Sequence, residues 1–171
     1  MAISETDEEV TDYDWFAVDK EGRVGHFTTG GIGKLPRTVA ASSDDLQFIT
    51  DFFRNTLPPS TEARLAPKAR EAANNVKWRK GWTCPMDAEA AAAHCFQDFM
   101  QMASRGLYSF DHSYALDCTH PRTRPCPLYY RIAIPSNPLH VTDLPMNVQT
   151  TLTRTVLAGA AFSQDDEVHV E

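Results

Sequence analysis

The chain has 171 residues, of which 42% are hydrophobic and 23% charged. That composition is typical of a soluble globular protein of one domain. The formal net charge of −7 disfavours a general nucleic-acid binder, because such a protein needs a basic face against the phosphates. The longest uncharged, largely apolar run, Thr155–Gln164, is too short to cross a bilayer. We therefore expect neither nucleic acid nor a membrane as a partner.

The first twelve residues, MAISETDEEVTD, are rich in Asp and Glu and poor in apolar residues. They predict a flexible acidic arm at 1–12 in front of a single domain at 13–171. The segment lacks the basic start and the apolar run of a signal peptide. We therefore expect a cytoplasmic protein whose four cysteines stay reduced.

A β-hairpin is predicted next. Two runs of β-forming residues, Trp15–Val18 and Arg23–Thr29, flank the turn sequence Asp19–Gly22. A helix should follow, with Ser43 as its N-cap and an end before Pro58. Its apolar face is expected to consist of Leu46, Ile49, Phe53 and Leu57.

A short exposed helix is predicted to start near Pro67, and a longer one to cover Ala88–Arg105. Asp87 can cap the longer helix, and Gly106 stands where a left-handed residue is wanted after a helix end. The buried stripe of this helix is expected to contain Ala92, Cys95, Phe96, Phe99, Met102 and Ala103.

The last third of the chain predicts two strands and a helix. The strands are LYSFD and PLYYRIAIP, the latter including Tyr129–Ile134, and the proline-rich loop CTHPRTRPCP separates them. The helix lies in DLPMNVQTTLTRTVL, with Leu144, Val148, Leu152 and Val156 on one side. The final residues predict an edge strand or a frayed end. This order of elements indicates a single α+β domain, with a mainly antiparallel sheet on which the helices pack.

Three segments carry a family resemblance: W-F-A-V-D-x-x-G-x-V-x-x-F-x-T-G-G-x-G at Trp15–Gly33, ASRGLYSFD at Ala103–Asp111, and YYRIAIPSNPLHVTDLP at Tyr129–Pro145. Together they resemble a widespread group of bacterial proteins to which no activity is assigned. The resemblance covers most of the chain and implies a bacterial protein of one domain. Some small acidic bacterial proteins of this general appearance are immunity partners of secreted toxins, which is an analogy at the level of the fold alone.

The glycine-rich segment His26–Pro36 resembles a phosphate-binding loop at first sight. The pattern G-x-x-x-x-G-K-[ST] fails, however, because Thr28 stands at the first glycine and Leu35 at the hydroxyl position. Pro36 also disfavours a helix start at that point. We expect no nucleotide or other cofactor here, and interpret Gly30, Gly31 and Gly33 as turn residues that tolerate a positive φ.

Cysteine and histidine offer the main candidate metal ligands. Cys118, His120 and Cys126 lie in one loop, and Cys84, His94 and Cys95 precede them. Zinc binds four such ligands in a tetrahedron, but structural zinc sites usually use two tight pairs, and no second tight pair faces this one. Cys95 also falls on the predicted apolar stripe, where a free cysteine packs as a small hydrophobic residue. The interpretation favours metal-free thiols over a zinc site.

Other candidates favour structural interpretations. His26 and His112 are expected to be surface or packing residues, and Asp111 should not face His112, because side chains alternate along a strand. No G-x-S-x-G elbow indicates a nucleophilic serine.

Acidic and basic residues near turns also favour ordinary roles. Asp14, Asp19 and Glu21 are interpreted as solvated residues of the hairpin rather than as an acid–base pair. The segment KWRKGW at Lys77–Trp82 mixes tryptophans and cations as single-strand binders do, but the adverse net charge favours packing.

Two functions remain compatible with the sequence. The favoured one is a non-enzymatic protein-binding module, of which a toxin inhibitor is one form, with an acidic surface that meets a basic partner. The alternative is a metal-dependent enzyme or zinc-stabilised module that uses the Cys118–Cys126 loop. The acids expected to form the binding surface are Glu5, Asp7, Glu8, Glu9, Asp12, Asp19, Glu21, Asp165, Asp166 and Glu167.

Overall fold

A mixed sheet of seven strands organises the protein. The computed structural model describes residues 1–31, 33–74, 96–112 and 127–170. The strands are β1 Asp14–Asp19, β2 Val24–Thr28, β3 Ala63–Leu65, β4 Tyr108–His112, β5 Leu128–Pro135, β6 Val156–Leu157 and β7 Glu167–His169. Their spatial order is β3-β5-β4-β2-β1-β6, and β7 pairs with β5.

Strand direction corrects one expectation. The α+β class is confirmed, but the sheet is mixed, because β2 pairs with β4 and β1 pairs with β6 in parallel. The other pairings, β1–β2, β3–β5, β4–β5 and β5–β7, are antiparallel. Parallel neighbours need a long crossover connection, and segments that contain helices make those connections here.

The predicted hairpin is confirmed as β1 and β2. Gly22 at its turn has a φ of +80°, and a Cβ there would lie 2.1 Å from His140 Nε2. Alternation places Phe16 and its register partner His26 on one face of the sheet. Trp15 and Phe27 occupy the other face, where their rings stack with centroids 4.1 Å apart.

Six α-helices are described, with a π-helical turn at Phe52–Thr56 and a 3₁₀ turn at Val141–Asp143. The α-helices are α1 Glu5–Val10, α2 Arg37–Ala40, α3 Ser43–Asp51, α4 Pro67–Asn74, α5 Gln97–Ala103 and α6 Met146–Leu152. No helix in these described ranges is long and apolar enough to pass through a membrane.

The N-cap of α3 is Ser42 rather than Ser43, because Ser42 Oγ accepts from the backbone N–H of Asp45 at 3.1 Å. The π-helical turn continues α3. Ile49 and Phe53 are buried as predicted, while Leu46 and Leu57 are half-buried.

Helix α5 is the described part of the predicted Ala88–Arg105 helix. Its stripe is confirmed at Phe96, Phe99, Met102 and Ala103, all buried. Ala92 and Cys95 lie outside the described residues. The role of Gly106 is also confirmed, because its φ is +92° directly after the helix end.

Val156 corrects the prediction for the last helix. Helix α6 buries Val148 and Leu152 as expected, but it ends at Leu152, and Thr155 N–H closes a turn on the carbonyl of Leu152 at 3.0 Å. Val156 therefore lies in β6 beside β1, with 49% of its surface exposed. β7 is the predicted edge strand near the C-terminal end.

Candidate functional site

The predicted metal ligands cannot be placed. Cys84, His94, Cys95, Cys118, His120 and Cys126 all lie outside the described residues, as does the Lys77–Trp82 segment. Among the residues that are described, no group of three or more His, Cys, Asp or Glu side chains is arranged to hold a metal ion.

The glycine-rich segment turns the chain. Gly30 and Gly31 have φ values of +55° and +68°, which confirms the turn role predicted for them. Gly33 is different, because its φ is not in the left-handed region. A Cβ at Gly33 would lie 2.5 Å from Tyr129 Oη, which donates to the carbonyl of Lys34 at 2.8 Å. Close packing against Tyr129 therefore leaves no space for a side chain at position 33.

A row of polar side chains crosses β1, β2 and β4 on one face of the sheet. His26 is fully buried, and its Nδ1 lies 2.8 Å from Ser109 Oγ. Its Nε2 lies 3.3 Å from Asp14 Oδ1. Arg54 Nε donates to Asp14 Oδ2 at 2.9 Å, and a second guanidinium nitrogen contacts the same oxygen. The polar chain therefore runs from half-exposed Arg54 at the surface to buried Ser109.

Each member of this polar chain is positioned by a different element. The hairpin register brings Asp14 and His26 to the same face, and the parallel pairing of β2 with β4 sets Ser109 opposite His26. Arg54 belongs to the π-helical turn, a rare backbone form that often occurs at functional sites. Sequence reasoning found Asp14 and His26 but missed Ser109 and Arg54.

The environment of Asp14 keeps its carboxyl ionised. Burial alone raises the pKa of this group, but the hydrogen bond and charge of His26, followed by those of Arg54, lower it by more, so that the pKa falls from 3.8 to about 2. Asp14 is thus a carboxylate throughout the physiological pH range.

The pKa of the Asp111 carboxyl is shifted in the opposite direction. Burial raises the pKa of its carboxyl to about 7, and the charge of Asp12 adds to that effect. The hydrogen bond from Thr28 Oγ1 to Asp111 Oδ1, 2.7 Å long, lowers the pKa but does not compensate. Two carboxyl groups on one face of the sheet therefore differ in protonation near neutral pH, as the acid and base of an enzyme do.

The polar chain contains the residue types of a Ser-His-Asp triad, but its geometry opposes nucleophilic catalysis. A triad serine must present its Oγ to a substrate carbonyl, whereas Ser109 is fully buried between strands. His26 is enclosed by the rings of Phe16 and Phe99, with centroids 5.4 and 6.1 Å away. His26 was predicted to be a surface or a packing residue, and its complete burial among these side chains favours packing.

His112 also has a packing role, as predicted. Its ring meets Tyr129 edge to face at 6.4 Å, and burial lowers the pKa of the imidazole. The side chain of Asp111 instead bonds to Thr28. The two side chains therefore make different side-chain contacts, as strand alternation requires, although the backbone of His112 also bonds to the Asp111 carboxylate.

Asp19 corrects the view of the hairpin turn as wholly solvated. Only 2% of its surface is exposed. Its Oδ1 accepts from the backbone N–H groups of Glu21 and Arg23, each at 2.9 Å, and its Oδ2 accepts from the N–H of Phe162 at 2.8 Å. The carboxylate joins the turn to a distant segment, so it cannot belong to an acidic surface. Glu21 is exposed and pairs with Arg23 at 2.7 Å.

The C-terminal acids are also engaged within the fold. Arg131 contacts Asp166, Lys68 Nζ lies 2.6 Å from Glu167 Oε1, and Asp165 accepts from the N–H of Ala161 at 2.6 Å. Intramolecular partners thus reduce what these acids can offer to another protein.

The segment 1–12, predicted as a flexible acidic arm, contains the helix α1, and hydrogen bonds connect residues on both sides of this helix to the rest of the fold. Ile3 N–H donates to the carbonyl of Ala40 at 2.8 Å, and the carbonyl of Met1 accepts from Ser43 N–H at 2.7 Å. Asp12 Oδ1 accepts from Gly30 N–H at 2.7 Å beyond the other end of α1.

Between these anchors, Ser4 caps α1 in a reciprocal pair with Asp7. The hydrogen bond from Ser4 lowers the pKa of Asp7. We define the acidic surface as Glu5, Asp7, Glu8 and Glu9, which contact no basic side chain within the described part of the chain.

Comparisons with protein-family models, with curated proteins and with solved structures found no match. The resemblance to a bacterial group therefore stays a prediction, and the geometry of this chain is what bears on its function.

Proposed function

We propose that the protein is a non-enzymatic binding module of the bacterial cytoplasm, and that its acidic surface on α1 binds a basic protein partner. The observation that supports this proposal is the anchoring of α1 at both ends by hydrogen bonds to the fold. The four acids of the surface are therefore presented from a defined position.

Anchoring matters because a flexible segment must lose conformational entropy when it binds. The backbone bonds of Met1 and Ile3 and the side-chain bond of Asp12 restrict the segment before any partner arrives. A fixed cluster of negative charge also speeds encounter with a positively charged protein and disfavours acidic competitors. Both effects favour recognition by α1 over a purely solubilising role.

The burial of Ser109 and His26 supports the binding interpretation over hydrolysis. Both side chains are fully enclosed, so the residue types of a triad are used inside the sheet. The partner class that we propose first is a secreted toxin with a basic face, which this protein would inhibit.

The experiment begins with capture of a partner from lysate of the native host, followed by association rates at low and high salt. The test variant is the triple substitution Glu5→Gln/Glu8→Gln/Glu9→Gln. Asp7 stays unchanged, because its side chain caps α1. We expect the variant to lower the on-rate roughly threefold to tenfold at low salt, with a smaller difference at high salt.

A matched control removes the same number of negative charges elsewhere. Glu62→Gln/Glu71→Gln/Asp98→Asn neutralises three exposed acids outside the acidic surface. This control should leave most of the on-rate intact. Equal losses of on-rate in both variants would show that only net charge matters. An on-rate that changes neither with salt nor in either variant would refute the proposed role of the acidic surface.

A further inference from the structure

An open groove borders β6, the strand at one end of the spatial order of the sheet. It measures about 1780 Å³, including the solvent at its mouth. It is lined by Lys34 and residues 36–38, by residues 154–160 around β6, and by Asp165 and residues 167–169.

The strand β6, whose residues Val156 and Leu157 line this groove, has one backbone edge that pairs with no other described strand. β6 ends the order of strands, with β1 as its neighbour. In this parallel pair, Val18 N–H donates to the carbonyl of Thr155 at 3.0 Å, and Val18 is the register partner of Val156. The N–H and C=O of Val156 therefore point away from β1. An exposed edge with free backbone groups is a template for another extended chain.

The charges that line the groove are mainly positive once internal pairs are considered. Arg154 pairs with Asp45, and Glu167 with Lys68. Lys34 and Arg37 also line the groove, and neither contacts a carboxylate among the residues that the structure describes. Asp165 also lines the groove and pairs with no cation among the described residues, its carboxylate accepting only from the backbone N–H of Ala161. The groove therefore presents two unpaired cations, Lys34 and Arg37, against one unpaired carboxylate.

We propose that this groove binds an extended acidic segment of a protein partner. The segment would add to β6 as an outer strand, with its backbone bonded to Val156 and an acidic side chain near Lys34 and Arg37. Backbone bonds then supply affinity, and the cations select for negative charge. This surface is separate from α1, so the inference does not depend on the basic partner proposed above.

The test is selection of binders from a random dodecapeptide phage library on the full-length protein, followed by measured affinities of the selected peptides. We expect acidic peptides. Their affinity should fall by about tenfold or more for Lys34→Glu/Arg37→Glu and for Val156→Pro, which lacks the outward N–H. Affinity should be retained in Val156→Thr, which keeps that donor, and in Lys20→Glu/Arg64→Glu, which reverses two exposed cations outside the groove.

Circular dichroism of each variant checks that it folds. If Val156→Pro does not fold, the selected peptides are compared with versions in which alternate amides are N-methylated. These versions keep their side chains but lose backbone donors, so they should bind more weakly. Selection that gives no binders or basic binders would overturn the proposal. Binding that is unaffected by both the charge reversal and the backbone change would do the same.

Discussion

Replacement of Asp19 by alanine should destabilise the protein by about 3–5 kcal/mol. The buried carboxylate accepts from three backbone N–H groups, those of Glu21, Arg23 and Phe162. Each hydrogen bond to a charged group contributes about 1.5–3 kcal/mol, and we expect less than their sum because water can enter the space that the side chain leaves. Asp19→Asn should cost about half as much, since its oxygen can keep two bonds while its NH₂ group faces the Phe162 N–H.

The assay is urea unfolding followed by circular dichroism, with the free energy extrapolated to water. Glu21→Gln is the matched control in the same turn, because Glu21 is exposed and its pair with Arg23 is a surface ion pair. Such a pair contributes at most about 1 kcal/mol. A loss below about 1 kcal/mol for Asp19→Ala, or equal losses for both positions, would refute the structural role of the carboxylate.

Further predictions concern packing, pH and thiols. Phe99→Ala should cost about 3–5 kcal/mol in the same assay, and a loss below about 1 kcal/mol would mean that α5 is not packed as described. Because the pKa of Asp14 falls from 3.8 to about 2 on folding, its contribution of about 2 kcal/mol should be present above pH 4 and disappear as the pH drops through 2; unfolding of Asp14→Asn should lack this dependence. The pKa of Asp111 is raised instead, so this carboxyl should destabilise the folded protein as the pH rises from 4 to 7. Asp111→Asn should therefore be more stable than the wild type at pH 8 but not at pH 4. Thiol titration of denatured protein prepared without reductant should give four thiols, and elemental analysis should give far less than one zinc per chain; stoichiometric zinc that is lost in Cys118→Ser would favour the metal-dependent alternative instead.

Local signals in the sequence were sufficient for several elements. The turn chemistry around Gly22 predicted the hairpin, Pro67 marked the start of α4, and Gly106 marked the end of α5. In each case the deciding residues lie within a few positions of the element, so the backbone preference of one or two residues was enough.

Those local signals could not predict the pairing of strands that are distant in the sequence. The parallel contact of β2 with β4 joins residues such as His26 and Ser109, 83 positions apart. No short pattern specifies such a register. The spacing of Val156 from Leu152 fits the face of a helix, but Val156 pairs with β1 instead. Tertiary contacts override local propensity at such positions.

In the candidate site, too, some residues could be predicted from local sequence and others depend on long-range contacts. Asp14 and His26 could be placed on one face from the hairpin alone, because side chains alternate along each strand. Ser109 required the parallel register, and Arg54 required the π-helical turn. Asp19 is buried and accepts a hydrogen bond from the N–H of Phe162, which is 143 positions away. The sequence near the turn therefore could not show that this residue is not solvated.

The position of the hairpin within the sheet has a consequence for synthesis on the ribosome. β1 and β2 are synthesised before β4 and β6, the strands that complete their outer edges and lie far downstream in the sequence. At about 5–20 residues per second, the open edge of β1 waits on the order of ten seconds for Val156 to appear. During that interval the hairpin exposes two unpaired edges, which are the features that recruit wrong partners. We therefore expect the nascent chain to depend on chaperones until β6 has left the ribosome tunnel.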